Sequence, residues 1–152
     1  MVNNKIENLW NEYKSLNNEV GNKYDAWAFG DDADYLANLV DSGEKTATSS
    51  AFPLYAVDNE PLPKENEYSV ILNSKDEPVC IIKNTKVTIM PFKDITEEHA
   101  CKEGEGDKSL RYWREVHERF FTHCMEEAGM KFDENMKVVC EEFEVVFKNG
   151  EY

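Results

Sequence analysis

One short segment of the chain concentrates side chains that can do chemistry. Within the six positions 45–50 lie one lysine and four hydroxyl residues: Lys45, Thr46, Thr48, Ser49 and Ser50. The segment follows Gly43, which suits a helix C-terminus, and an apolar repeat that predicts a helix over 33–42. A packed helix would fix the position of the segment while its polar groups stay available for a ligand. A helix end followed by an ordinary threonine-rich strand is the alternative.

A hydroxyl, an amine and a carboxylate can together run hydrolysis through a hydroxyl nucleophile. The chain has no Gly-rich phosphate loop after a strand, no GxSxG segment and no Walker signature, which excludes most common nucleotide hydrolases. Lys45 and Thr48 remain as candidates for the amine and the hydroxyl. The carboxylate has to come from another part of the chain. Glu103 is the candidate, because Gly104 and Gly106 let the backbone turn this side chain inward.

The spacing of Lys45 and Thr48 sets a geometric condition. Residues three apart in a regular strand point to opposite faces of the sheet. The two side chains can therefore share a site only if the backbone between them turns or bulges.

A positive cluster is a second candidate site. Lys108, Arg111 and Arg114 lie in a helix predicted over 108–128, and His117 follows Arg114 by three residues. With the backbone of 104–107 at the N-terminus of this helix, the corner could hold a carboxylate or one phosphate. The alternative is a solvated face, on which the arginines pair with nearby acidic residues and the histidine belongs to the edge of the core.

No metal site and no cofactor are predicted. His99 with Cys101, and His123 with Cys124, lack the repeated spacing that identifies metal ligands. The four cysteines form no CxxC pair, so a reducing, cytoplasmic location is the simplest expectation.

Charge limits the partners that the protein can bind. The sequence has 17 Lys and Arg against 31 Asp and Glu, a formal net charge of −14 at pH 7. Such a surface repels polyanions, so RNA binding is disfavoured, whereas a small molecule or a nucleoside is compatible with it. No apolar stretch resembles a signal segment or reaches transmembrane length, and no membrane partner is expected.

The order of the predicted elements indicates an α+β fold. Two helices precede the main strands, two more helices follow, and the chain closes on a strand over 137–147. Non-local strand pairing predicts a mostly antiparallel β-barrel or curled sheet with flanking helices. We expect one domain over residues 1–152, with an N-terminal helical extension at about 1–22. The segments 24–30 and 52–63 are expected to be irregular, and residues 141–142 suggest a β-bulge.

Several segments together resemble the ASCH domain, a member of the PUA-like superfamily. The run from Gly43 to Thr48 is similar to the G-x-K-x-x-T signature of that family. The run from Glu97 to Glu103 is similar to its later acidic segment, and residues 104–121 resemble a subgroup of small stand-alone bacterial members. The similarity covers about residues 27–147.

The resemblance implies a PUA-like β-barrel with a cleft lined by the lysine–threonine segment. It also implies an activity, because a small member of the family hydrolyses the acetyl amide of N4-acetylcytidine with a Lys/Thr/Glu set. Carried over by motif, this set is Lys45, Thr48 and Glu103. Either Lys45 activates Thr48 while Glu103 shuttles protons, or Glu103 is the base and Lys45 stabilises the oxyanion. Our further candidates for substrate binding are Thr46, Ser50, Arg111, Arg114 and His117.

The family also leaves two alternatives open, since members were proposed to bind RNA and others are reported as ribonucleases. Ser50 stands where many members have a basic residue, so this chain lacks one potential contact to an anion or base. The predicted function is hydrolysis of an amide bond in a modified nucleoside or a similar small molecule. A non-catalytic RNA- or nucleotide-binding module and a ribonuclease are the alternatives.

Overall fold

The fold is α+β, as expected from the sequence, and the computed structural model describes residues 4–152 of the chain. These residues form five α-helices, five β-strands and one short 3₁₀ turn: α1 (Asn4–Leu16), β1 (Asp25–Ala28), α2 (Ala33–Ser42), β2 (Ala47–Ala51), α3 (Phe52–Val57), β3 (Tyr68–Leu72), β4 (Pro78–Pro91), the 3₁₀ turn (Phe92–Asp94), α4 (Glu97–Glu103), α5 (Leu110–Glu127) and β5 (Lys137–Lys148). The start of the expected N-terminal extension, residues 1–3, lies outside the described residues.

The five strands form one curled sheet in the order β1-β3-β4-β5-β2. β1 runs parallel to β3, and the other three pairs are antiparallel. A closed barrel requires its two edge strands to pair, but β1 and β2 lie at opposite edges of this sheet. The prediction of a barrel is therefore wrong in its closure, and the sheet is a half-barrel.

The two longest strands, β4 and β5, pair irregularly. The register between them shifts at two places, one beside Ile82 and one beside Asn84. At the second shift Thr85 of β4 is the extra residue, opposite Phe143 and Glu142. An extra residue bends its strand and increases the local twist. The bulge expected at 141–142 therefore lies on the partner strand instead.

α1 lies against β3 and β4 through an apolar face. Four of its five apolar residues at helical spacing are buried, Ile6, Leu9, Trp10 and Tyr13, whereas Leu16 at the end of the helix is exposed. The four buried residues pack with Val70 and Leu72 of β3 and Ile81 of β4. α2 packs on the intervening residue of β3, Ile71, and so covers the opposite face of that strand.

Two segments that were expected to be irregular are regular instead. Residues 25–28 form β1, because the parallel pairing with β3 gives their backbone hydrogen-bond partners. Residues 52–57 form α3, in which Pro53 occupies the first turn, where its missing N–H would have had no partner. α5 begins at Leu110, two residues later than expected, because the side chain of Ser109 caps it by accepting from the Tyr112 N–H.

α4 contacts α5 and β2, and its Lys102 donates to Glu142 of β5. α5 also contributes Trp113, Phe121 and Met125 to a core cluster with Val138 and Cys140 of β5. No helix within residues 4–152 combines the length and the apolar character needed to cross a membrane.

Candidate functional site

A cavity of about 770 Å³ lies between α5, the loops beside it and one face of the curled sheet, to which all five strands contribute residues. Aromatic side chains form much of its wall: Trp27, Phe29, Tyr35, Tyr55, Tyr112 and Phe120. Hydroxyl and charged groups also line it: Lys45, Thr48, Ser49, Ser50, Glu103, Glu105 and His117. A cavity of this size with a mixed wall suits a small organic ligand.

Two glycines bring the Lys45 segment to the end of α4. Gly43 ends α2 in the left-handed region, with a φ of 86°. Gly104 ends α4 with a φ of 73°, and a Cβ atom at this position would overlap the carbonyl oxygen of Glu44. Only glycine combines this conformation with so close an approach. The Thr46 N–H then donates to the Lys102 carbonyl at 2.7 Å, which fixes the segment against α4.

Lys45 is the central charge of the site, although it is only 1% exposed. Its Nζ lies 2.9 Å from Glu105 Oε2, 3.1 Å from Glu103 Oε1 and 3.5 Å from the Glu103 carbonyl oxygen. Three acceptors match the three N–H bonds of an ammonium. The ring of Phe29, with its centroid 5.4 Å from Nζ, adds a cation–π contact. Lys45 is thus a buried cation between two carboxylates.

Glu103 is equally buried, and one of its oxygens is shared by three side chains. Oε2 accepts hydrogen bonds from Ser49 Oγ at 2.5 Å and from Trp113 Nε1 at 2.6 Å. His99 Nε2 lies 2.9 Å from the same oxygen and 2.7 Å from Ser49 Oγ. The carboxylate therefore joins β2, α4 and α5 at one point.

The other oxygen of Glu103 faces Lys45 and His117. His117 Nε2 lies 3.5 Å from Oε1, while its Nδ1 lies 2.9 Å from the Trp113 carbonyl oxygen. Burial alone would raise the pKa of the Glu103 carboxyl, but Lys45 and His117 outweigh it and lower the pKa well below its ordinary value. Burial alone would lower the pKa of His117, but Glu103 leads the effects that raise it. Glu103 is therefore held as an anion.

Glu105 holds Lys45 from the other side. It lies in the turn between Gly104 and Gly106, and its side chain is 12% exposed. Within residues 4–152, Lys45 is its only side-chain hydrogen-bond or ion-pair partner. Burial raises the pKa of the Glu105 carboxyl, and the Lys45 ammonium offsets this only in part.

Three consecutive hydroxyl residues of β2 line the cavity, but they differ in their partners. Ser49 donates to Glu103, and Ser50 Oγ lies 2.6 Å from the Tyr55 hydroxyl. The Thr48 hydroxyl has no hydrogen-bond partner in the part of the chain that the structure describes. Thr48 is therefore the β2 hydroxyl that is available to a ligand.

The backbone between Lys45 and Thr48 changes conformation, which removes the geometric obstacle to a shared site. β2 begins only at Ala47, so the two residues do not belong to one regular strand. Both side chains line the cavity, as does Glu103. The structure thus places the three predicted catalytic residues around one space.

A family model described as the ASCH domain matches residues 25–147, most of the chain. This chain belongs to the ASCH domain family. The matched region contains all of the residues around Lys45 described above.

Two solved structures are similar to this ASCH domain over nearly its whole length. The ASCH domain from Lactobacillus crispatus is 34% identical, the match covers 93% of both chains, and the TM-score is 0.88. A protein from Enterococcus faecalis is 37% identical, the match covers 99% of this chain and 93% of that one, and the TM-score is 0.89. The search of curated proteins returned no significant match.

Three of the sequence-predicted binding residues lie outside the cavity of this ASCH domain. Thr46 Oγ1 donates to the Lys102 carbonyl at 3.3 Å. Arg111 is 90% exposed and pairs with Glu115, and Arg114 donates to the Lys93 carbonyl at 3.2 Å. The face of α5 that lines the cavity carries Tyr112, Val116, His117 and Phe120 instead. His117 and Ser50 therefore line the cavity, and the two arginines do not.

Four residues of the site were missed in the sequence: Ser49, His99, Glu105 and Trp113. Two of them had a usable signal, because His99 precedes Glu103 by four residues and Trp113 precedes His117 by four. Glu105 and Ser49 had none, since the turn after α4 and the start of β2 decide where these side chains point.

A possible metal site coincides with the position of Lys45. Glu103, Glu105 and His117 offer ligand atoms that lie within 4.8 Å of one another. The Lys45 ammonium already lies between the same two carboxylates, where it supplies the compensating positive charge. The absence of a metal stays a prediction from the sequence.

Proposed function

We propose that this ASCH domain hydrolyses an amide bond in a small molecule, such as the acetyl amide of a modified nucleoside. One observation carries the proposal: the unpaired Thr48 hydroxyl and the buried Lys45 ammonium line the same cavity. Acyl transfer needs a nucleophile, and it needs positive charge where the oxyanion develops.

Thr48 is the proposed nucleophile. Ser49 and Ser50, which also line the cavity, are engaged with Glu103 and Tyr55. Attack by Ser50 would first require its hydrogen bond to Tyr55 to break, whereas Ser49 is hydrogen-bonded to two potential bases, Glu103 and His99, and is the competing nucleophile. Thr48 supports the proposal because its hydroxyl is not engaged by any residue within 4–152.

Lys45 is proposed to stabilise the oxyanion rather than to act as the base. The three acceptors around its Nζ are those of an ammonium, which has no lone pair for a proton. Its three N–H bonds are already taken, so Lys45 would act on the developing negative charge through its electric field and not through a hydrogen bond. A carboxylate must then accept the Thr48 proton, and Lys45 takes the role that it has in the second of the two assignments.

The cavity supports an uncharged, flat ligand. Its volume of about 770 Å³ lies within the roughly 300–1,000 Å³ of small-molecule sites. Trp27, Tyr112 and Phe120 offer rings on which a heterocycle can stack. Glu105 and Glu141 also line the cavity and disfavour a phosphorylated ligand, so a nucleoside is preferred to a nucleotide.

Release of acetate tests the proposal. Purified protein is incubated with N4-acetylcytidine, with other N-acylated nucleosides and with simple acyl amides, and acetate or amine is followed by proton NMR. We expect turnover by the wild type and a loss of at least about 100-fold in Thr48→Val, because the nucleophile is removed. Thr48→Ser should keep part of the activity, since it restores a hydroxyl.

Thr88→Val is the matched control for Thr48→Val. Thr88 is a half-buried threonine of β4 that does not line the cavity, and its pairing partner Cys140 lies on the same strand as the partner of Thr48. Its turnover should equal that of the wild type. The proposal fails if no amide is hydrolysed, or if Thr48→Val is as active as Thr88→Val.

The RNA-binding and ribonuclease alternatives receive less support. Arg111 and Arg114 are exposed and lie outside the cavity, and the chain carries a net charge of −14. Filter binding over a salt series and gel assays on short RNAs decide the matter. A steep salt dependence that is lost in Arg111→Ala with Arg114→Ala would favour RNA binding, and cleavage would favour a ribonuclease.

We include a reducing, cytoplasmic location in the same proposal. All four cysteines are free, and burial raises the pKa of Cys80 and Cys140 to about 12. These two buried thiols are unreactive, and the free, exposed Cys101 is what favours a reducing compartment. Subcellular fractionation tests the location.

A further inference from the structure

The two carboxylates around Lys45 differ in the number of their partners. Glu103 meets five polar groups: Lys45 Nζ and His117 Nε2 at Oε1, and Ser49 Oγ, His99 Nε2 and Trp113 Nε1 at Oε2. A carboxylate offers about four acceptor positions. With its side chain only 1% exposed, Glu103 has no free position at which it could take a proton.

Glu105 has the capacity that Glu103 lacks. Its Oε2 meets Lys45, and its other oxygen has no partner among residues 4–152. The side chain lines the cavity and is 12% exposed, so a ligand can reach it. Glu105 can therefore take up or release a proton without breaking the Lys45 contact.

We propose that Glu105 is the catalytic carboxylate that exchanges protons with the substrate, and that Glu103 is a positioning residue for Lys45 and Ser49. The inference rests on the proposed function and names the base that it requires. It reassigns the role that the sequence resemblance gave to Glu103.

The reaction then balances in two steps. As the Thr48 Oγ–carbon bond forms, Glu105 takes the hydroxyl proton and the carbonyl electron pair moves to the oxygen beside Lys45. When the C–N bond breaks, the amine leaves with the proton from Glu105, and the acyl group stays on Thr48. Water then attacks this ester, Glu105 takes a proton from the water, and that proton returns to the Thr48 oxygen as the carboxylic acid leaves.

The charges around Glu105 suit this role. Lys45 faces it from the segment before β2, Glu103 from the end of α4, and His117 and Tyr112 from α5. Burial raises the pKa of the Glu105 carboxyl, and Glu103 adds to the rise, while Lys45 and His117 oppose it. A base with a pKa nearer to the working pH transfers protons more effectively than a permanent anion such as Glu103.

Kinetics over a range of pH separate the two carboxylates. With N4-acetylcytidine as the probe, kcat of the wild type should rise with pH as Glu105 loses its proton. Glu105→Gln should lower kcat at least about 100-fold and remove this rise, and Glu105→Asp should keep it. Glu103→Gln should lower kcat because Lys45 moves, yet keep the rise. Glu115→Gln, an exposed control on α5, should match the wild type.

The proposal is overturned if Glu105→Gln keeps the kcat and pH dependence of the wild type, or if the rise disappears in Glu103→Gln instead. If Glu103→Gln does not fold, the comparison of the wild type with Glu105→Gln decides.

A second measurement does not depend on turnover. Carboxyl carbon-13 NMR of glutamate-labelled protein, assigned with Glu105→Gln, follows both groups as the pH is lowered. Glu105 should take up its proton first, and Glu103 should stay ionised. Protonation of Glu103 before Glu105 overturns the inference even if no amide is hydrolysed, whereas absence of hydrolysis alone overturns only the proposed function.

Discussion

The contact of α1 with the sheet and the cluster around Glu103 are both buried, but their chemistry is opposite. α1 uses Ile6, Leu9, Trp10 and Tyr13 against other apolar residues. The Glu103 cluster buries an ammonium, a carboxylate and two histidines within a few ångströms of one another.

The difference indicates what each region is for. Burying an apolar side chain stabilises a protein by about 1.5–3 kcal/mol. Burying an ion costs several kcal/mol, which its partners offset only when the geometry is good, and apolar replacements are often as stable. The α1 contact is explained by stability. The Glu103 cluster is better explained by chemistry that needs these groups.

Hydrogen bonding repeats the contrast. Within residues 4–152, the one buried side-chain polar atom that lacks a partner is Trp10 Nε1, in the α1 cluster. Trp113 Nε1, by contrast, donates to Glu103 at 2.6 Å. An unpaired donor is tolerated where packing dominates, whereas both oxygens of Glu103 are paired, as a precisely held carboxylate requires.

The largest effect is expected from Lys45→Ala. It leaves two buried carboxylates without their cation, so the free energy of unfolding should fall by about 3–5 kcal/mol, and hydrolysis should be lost. Lys102→Ala is the control, because its bridges to Glu98 and Glu142 are partly exposed and worth less than about 1 kcal/mol. Urea denaturation measures both. Similar losses in the free energy of unfolding for Lys45→Ala and Lys102→Ala would contradict the special role of the buried cluster.

Leu9→Ala tests the apolar region. It should lower the free energy of unfolding by about 3 kcal/mol, because it removes buried methyl groups and leaves a cavity. The folded fraction should retain the turnover of the wild type, since the α1 cluster meets the cavity wall at Ala28 and not at the charged or hydroxyl groups of the site. Denaturation and kcat below the unfolding transition are the two measurements. A large loss of kcat in fully folded Leu9→Ala would contradict the division.

Trp113→Phe should have a smaller effect on stability, about 2 kcal/mol, because it removes a hydrogen bond to a charged group and keeps most of the packing. Trp10→Phe is the matched control, and it should cost less, since its Nε1 bonds to nothing within the described residues. Urea titration of both variants checks the prediction. A larger loss in the free energy of unfolding for Trp10→Phe than for Trp113→Phe would contradict it.

The smallest effect concerns pH. The folded-state pKa of His117 is raised, so its stabilising contribution is complete below the unfolded value of about 6.5 and is lost as the pH rises through the folded value. The stability difference between the wild type and His117→Gln should therefore shrink as the pH rises above about 6.5. The difference between the wild type and Leu9→Ala should stay constant, because the pKa of Tyr13 in that cluster is raised to about 12. A difference for His117→Gln that grows with pH would contradict the assignment.

Helical periodicity and glycine positions explain why much of the fold was predictable. The helix over 33–42, its end at Gly43 and the strand from 137 came directly from such patterns. β1 was missed because a four-residue strand at an edge has too little pattern of its own. Barrel closure was mispredicted because strand order depends on contacts between distant segments, such as β1 with β3.

The site was predictable only where a motif marked it. The motif named Lys45 and Thr48, and the glycines after α4 pointed to Glu103. The same glycines place Glu105 in the cavity. No pattern in the sequence, however, shows which of Glu103 and Glu105 would have which role, because the two residues are only two positions apart. Among residues 4–152, Glu103 has five polar partners and Glu105 has one, and this difference can be seen only from the contacts in the folded protein.

Trapping of the acyl group tests the central claim most directly. The protein is mixed with N4-acetylcytidine, quenched in acid and analysed by mass spectrometry of the peptides that contain β2. We expect one acetyl group on Thr48 in the wild type and none in Thr48→Val. An acetyl group on Ser49, or cytidine formed with no acylated residue at any quench time, would contradict the assignment of Thr48 as the nucleophile.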